Sequence, residues 1–232
     1  MKLFFQIACL MFVAACSTVV AQENAAPFQP AAFEADLARL AQLAGDSDAF
    51  EDEAGHVMMK LWPSIYAPDT RVPLADVLAF AQKIDTMSDT VPKSVGWTYI
   101  RVLSFTALCQ ELGRNTAAKT SDFGPTLKNA RDLLDGLEAE FIALGGRKAA
   151  RPLGNYNSLD QPKAEREAKR KAVSAHVLLM KLPELRQLLL QQCLKTNPGG
   201  SRKQLAAKLT VYQFTPAQIR AVLEDVPVRH GK

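Results

Sequence analysis

The chain has 232 residues, 48% of them hydrophobic and 22% charged, with 12 Gly, 13 Pro and 4 Cys. That composition excludes intrinsic disorder and low-complexity chains, and cysteine is too scarce for a disulfide-stapled miniature fold. The length allows one sizeable hydrophobic core, while the formal net charge of +4 says little until its distribution is followed.

The first residues have the layout of an export signal. Lys2 supplies a positive charge, and Leu3 to Ala15 is an apolar run interrupted only by Gln6. These 13 residues match a signal-peptide core and fall short of the roughly 20 that span a bilayer. Two cuts compete. Val19-Val20-Ala21 places small residues before Gln22, whereas Val13-Ala14-Ala15-Cys16 resembles a bacterial lipobox and would put a lipid on Cys16. An uncleaved anchor over 3–21 is the third alternative. Either cut predicts export: a periplasmic or secreted protein, or one lipid-anchored through Cys16. The chain then divides into a signal at 1–21 (1–15 for a lipoprotein), an exposed lead-in at 22–29, a helical domain at 30–226 and a flexible tail at 227–232. No membrane-spanning segment is expected in the mature chain.

The domain reads as helices punctuated by Pro73, Pro92, Pro125, Pro162, Pro183 and Pro216, each at or just before a helical pattern. A first helix is predicted from Ala31 to Ala44, ended by Gly45. Asp48 with Glu51 forms a capping-box pattern for a second, with Phe50, Ala54, Val57 and Leu61 inward. Trp62 to Val72 reads as a loop carrying Pro63 and Pro68. A third helix buries Leu74, Val77, Leu78, Ala81 and Ile84. From Ser94 to Leu112 the sequence is apolar almost all round, which predicts the central buried helix.

Past the polar stretch 113–122, Leu127, Ala130, Leu134, Leu137, Phe141 and Leu144 recur at helical spacing, stopped by Gly145-Gly146. The loop to Asn157 reads as mobile. A helix from Asp160 starts polar, turns apolar after Val173 and is expected to break or kink at Leu182-Pro183. Ser201 with Gln204 predicts a capped short helix through Leu209. Thr215-Pro216 opens the last, burying Ile219, Val222 and Leu223. No segment alternates with period two. The predicted fold is all-α without a sheet, a single-domain multi-helix bundle or helical-hairpin array of about eight helices, with one sub-boundary near 113–122.

Cys109 and Cys193 are the two cysteines of the folded part. Export would favour a disulfide between them, and two buried thiols are the alternative. Charge is segregated: residues 22–112 carry a net −7 and residues 113–232 a net +10, almost all of it within 145–208. One consequence would be a face for anionic partners built from Arg147, Arg151, Lys163, Arg166, Lys169, Arg170 and Lys171. The opposing reading packs the acidic half over these side chains.

Local motifs add little chemistry. Leu205 to Val211 followed by Phe214-Thr215-Pro216 resembles a helix-turn-helix reader of DNA, but Pro216 and the export signal favour a plain helical hairpin. Glu53 and His56 have an E-x-x-H spacing, yet His176 lacks the second glutamate that a di-iron bundle needs. The carboxylate-rich run 46–53 fits a helix N-terminus better than a calcium loop. Trp62, Tyr66 and Tyr156 stand out as exposed-aromatic candidates. No catalytic or metal-ligating residues are assigned, and no cofactor and no nucleic-acid partner is expected. The functional expectation is an exported, non-enzymatic interaction, scaffold or chaperone-like envelope protein, binding an anionic envelope component or another protein. The alternative is an enzyme or small-ligand binder whose site is assembled from distant residues.

Overall fold

Periodic apolar faces do become helices, and the one helix without a polar face lies at the centre. The computed structural model describes residues 28–67, 72–114, 123–152, 160–198 and 200–226. The signal region with Cys16 and both cuts lies outside the described residues. So do most of the sub-boundary, Tyr156 with its surrounding loop, His230 and the tail. Among the described residues there are nine α-helices, eight of them of seven residues or more, and no strand. The fold is an all-α helical bundle.

A 3-10 turn at Pro30–Phe33 leads into α1 (Glu34–Gln42), followed by α2 (Ser47–Ile65), α3 (Leu74–Met87) and α4 (Val95–Arg114). Then come α5 (Phe123–Ala143), the single turn α6 (Gly146–Ala149), the long α7 (Lys163–Lys195), α8 (Arg202–Val211) and α9 (Pro216–Asp225). Helix α4 packs against α2, α3, α5 and α7. Sixteen of its residues are buried, so polar groups on it must find partners inside the protein. One hydrophobic cluster runs from Phe28 through α4 to Val222, with Phe28, Phe33 and Phe80 closing one end ring against ring.

Several local expectations are corrected. The cap of α2 is Asp46, whose carboxylate accepts the amides of Asp48 and Ala49, so Asp48 and Glu51 are released for longer-range partners. Helix α2 continues through Trp62 and Pro63 to Ile65, where a loop was expected. Helix α7 runs 33 residues without interruption at Pro183. Proline removes one backbone hydrogen bond, but Leu178, Leu182, Leu185 and Leu189 stay buried on either side of it and hold the two halves in one register. The capping box at Ser201 forms as its spacing predicts, and Thr215, where the last helix opens as predicted, adds a second with Gln218, each glutamine returning to the cap residue's amide. Of the last helix's expected core residues, Val222 is buried and Ile219 and Leu223 are half-buried.

Cys109 and Cys193 are free thiols, both buried, and not a disulfide. Burial pushes the Cys109 thiol well above its ordinary value, with Cys193 nearby adding to the shift. Burial likewise pushes Cys193 up to about 12. They behave as small hydrophobes between α4 and α7.

Candidate functional site

The basic segment is divided by the fold. Arg166 and Arg170 turn inward and share one carboxylate: Asp48 accepts from both guanidinium groups, from Arg170 at 2.6 Å. Arg170 also donates to the carbonyl of Ser47 and is 1% exposed. The two arginines hold Asp48 at about 2, the hydrogen bond from Arg166 contributing most. Acidic α2 thus packs over the first turns of α7, and these two residues do not belong to an outward face. Lys169 is occupied by Glu165 and Gln161, while Glu167 accepts from Ser47 Oγ rather than pairing with Lys171. Lys163, Lys171, Arg147 and Arg151 remain exposed.

The other sequence candidates are structural. Glu53 pairs with Arg39 at 3.3 Å and His56 is exposed. Among the described residues no three His, Cys, Asp or Glu side chains gather as metal ligands would. The helix-turn-helix look-alike docks its would-be reading helix inward: Gln218 is buried and donates to Asp132 (2.8 Å) and Asp135 (2.6 Å) of α5. A second ionic cluster, buried at Arg101 and Glu140 and open at its ends, joins Arg101 of α4 to Glu140 and Asp85, with Lys93 3.7 Å from Glu140. Its charges balance, and it ties α3, α4 and α5 together.

What remains open is a cleft between α2 and α7, floored by α4. Trp62 lies in the last turn of α2 and Tyr66 caps its end, their ring centroids 6.0 Å from each other, and Tyr99 of α4 lies 6.4 Å from Trp62. Val102, Leu103, Thr106 and Leu185 complete the floor and far wall. At one end Lys181 donates to Glu184 at 2.8 Å. The enclosed space is only about 10 Å³, far below the 300–1,000 Å³ usual for ligand pockets, so this is a shallow surface groove. Trp62 is 38% exposed, and Met59, one turn before it on α2, is 63% exposed. Met59 and Trp62 on α2 and Tyr66 just past its end have 3,4 spacing and form a partly exposed apolar stripe.

Electrostatics at the polar end are mild. Burial raises the Tyr66 and Tyr99 hydroxyls, which therefore stay protonated as donors at neutral pH. Burial pulls Lys181 down, but the Glu184 carboxylate outweighs it and the net direction is upward. The cleft consequently offers aromatic faces, a neutral ion pair and phenolic hydroxyls, a set suited to binding.

No family model matches this chain, and neither a curated protein nor a solved structure is detectably similar to it. Sequence reasoning singled out Trp62 and Tyr66 and placed both in a loop, which holds for Tyr66 but not for Trp62, in the last turn of α2. Tyr99, Lys181 and Glu184 carried no local signal, because they join the site only once α4 and α7 pack beside α2.

Proposed function

We propose that the protein is an exported, non-enzymatic interaction protein whose shallow aromatic groove packs against apolar side chains of a partner polypeptide. The observation that carries this reading is the partly exposed Trp62 and Tyr66 lining a shallow groove with Tyr99, with the exposed Met59 one turn before Trp62 on α2. Aromatic residues and methionine are enriched at protein interfaces, and methionine's flexible thioether adapts to differently shaped partners. A contiguous apolar rim of this kind has a higher cost in water than scattered exposed residues. Export is supported by the apolar run Leu3 to Ala15 behind Lys2. Lipid attachment at Cys16 is tested by fatty-acid labelling of wild type against Cys16→Ser, with loss of label in the variant expected.

The chain has two tryptophans, which makes the cleft easy to read. Trp97 is buried, with its indole N–H donated to Ser88 Oγ, whereas Trp62 is at the mouth. Titrating N-acetyl-leucinamide and N-acetyl-phenylalaninamide as probes should shift the Trp62 indole resonance and leave that of Trp97 in place. Trp62→Ala should abolish the remaining shifts around Tyr66 and Tyr99. Equal shifts across the surface, or shifts untouched by Trp62→Ala, would remove the cleft as the binding site.

A further inference from the structure

A second surface lies apart from the cleft and does not depend on its reading. Helix α5 ends at Ala143 and the chain reverses through Gly145 and Gly146, both with positive φ. The amide of Gly145 donates to the carbonyl of Ile142, which keeps Ile142 within one turn of α6. Ile142 is 74% exposed, the most exposed large aliphatic side chain among the described residues. Just beyond it Arg147 and Lys148 project from α6. Arg151 then crosses to α7, where its amide donates to the carbonyl of Ala172 (3.1 Å), beside Lys171.

All four cations are exposed. Arg147, Lys148 and Lys171 make no ion pair among the described residues, and Arg151 uses its guanidinium on the carbonyls of Lys148 and Ala150, which leaves its charge uncompensated. No Asp or Glu occurs from 141 to 159. The ledge therefore clusters positive charge, Glu167, one turn from Lys171 on α7, being held by Ser47, and Ile142 is exposed at the preceding helix end. Its geometry differs from the solvated α7 start, where the neighbouring Lys169 is matched by Glu165.

We propose that this ledge docks on an anionic lipid bilayer surface, Arg147, Lys148, Arg151 and Lys171 meeting phosphate headgroups while Ile142 enters the headgroup–acyl boundary. Charge complementarity selects an anionic partner. Ile142 selects a bilayer over a soluble polyanion, because only the bilayer offers an apolar layer beneath its charge.

The test uses a chain beginning at Gln22, which keeps every residue of the described core and removes the apolar leader. Vesicles of phosphatidylglycerol in phosphatidylcholine, vesicles of phosphatidylcholine alone, and heparin are the three arms. Binding is expected to the first only, falling steeply as salt shortens screening to about 8 Å. Neutralising Arg147, Lys148 and Lys171 together to Gln should weaken it by about fivefold for each charge. Ile142→Asp should weaken vesicle binding further, and Lys203→Gln with Arg220→Gln, exposed cations elsewhere, should leave it unchanged. Far-UV circular dichroism of each variant confirms that the helices are intact. Absence of binding to phosphatidylglycerol at low salt, or equal binding to phosphatidylcholine, overturns the proposal. So does a Lys203/Arg220 variant as weak as the ledge variant, which would make the attraction diffuse. Heparin binding without vesicle binding overturns it in favour of a soluble polyanion.

Discussion

Glu51 of α2 accepts the backbone amides of Val95 (2.9 Å) and Gly96 (3.3 Å), so a side chain from one helix caps the first turn of the central helix more than forty residues later. Helix starts expose amides without intrahelical acceptors and a partial positive charge, and here that end is buried. Ser94 contributes the other half, its hydroxyl accepting the amide of Trp97. The carboxylate therefore performs in three dimensions the task a local capping box performs in sequence.

Glu51→Ala should destabilise the protein by about 2–4 kcal/mol, because two buried amides lose their acceptor together with a favourable charge. Glu51→Gln keeps one acceptor oxygen and should cost less. Urea unfolding followed by circular dichroism reads both: the midpoint should fall with the slope unchanged. An alanine variant as stable as wild type would show that water satisfies that helix end equally well.

The shared carboxylate of Asp48 predicts an acid limb of stability. Its pKa is lowered from 3.8 to about 2 in the fold, so the folded state binds this proton more weakly than the unfolded chain. The contribution is fully present above pH about 4 and is lost as pH falls from there through about 2. Asp48→Asn should flatten the stability profile in that window while lowering stability at pH 7, where Arg166 and Arg170 would lose their carboxylate. An identical acid limb in variant and wild type would place the titration elsewhere.

Buried thiols give a third prediction. Cys109 and Cys193 have raised pKa values from burial and should resist alkylation by iodoacetamide at pH 8 in the native protein. Both should react once denaturant exposes α4 and α7, because the thiolate is the reactive form. Labelling of either at native conditions, at the rate of a free thiol, would mean that α4 and α7 separate readily.

How much of this was legible in the sequence follows the range of each interaction. Ser201 with Gln204 and Thr215 with Pro216 and Gln218 are complete within four residues, and both helix starts stand where they were read. The all-round apolar pattern of Val95 to Leu112 correctly marked the centre, since a helix lacking a polar face has nowhere else to go. Pro63 and Pro183 misled because proline's local cost can be offset by packing on both flanks, which no local rule registers. Charge segregation between the halves was visible. That Asp48 would take Arg166 and Arg170 out of the solvent was not, because those residues lie 118 and 122 positions away. The cleft has the same character: Trp62 and Tyr66 stood out by type, but the third wall, Tyr99, and the Lys181–Glu184 pair come from two other helices.

The crossing of α2 and α4 supplies a matched pair of glycine substitutions. At Gly96, on α4, an added Cβ would sit 2.7 Å from the backbone carbon of Ala54 and 2.7 Å from the amide nitrogen of Gly55, on α2. Neither atom can move without shifting a helix, so the two backbones approach this closely only because position 96 lacks a side chain. At Gly55, a few ångströms away, an added Cβ meets nothing within 4 Å. Gly96→Ala should therefore destabilise by about 1–3 kcal/mol through overpacking, and it should also disturb Glu51, which caps the same turn. Gly55→Ala should stabilise by about 0.5–1 kcal/mol, since alanine in a helix interior removes glycine's excess backbone entropy without a clash. Two substitutions of identical chemistry at one helix crossing thus have opposite expected signs. Thermal melts read the contrast, at about 2–4 °C per kcal/mol for a chain of this size. A stabilising Gly96→Ala would show that α2 and α4 are spaced further apart than the structure has them, and with that the seating of the central helix would have to be redrawn.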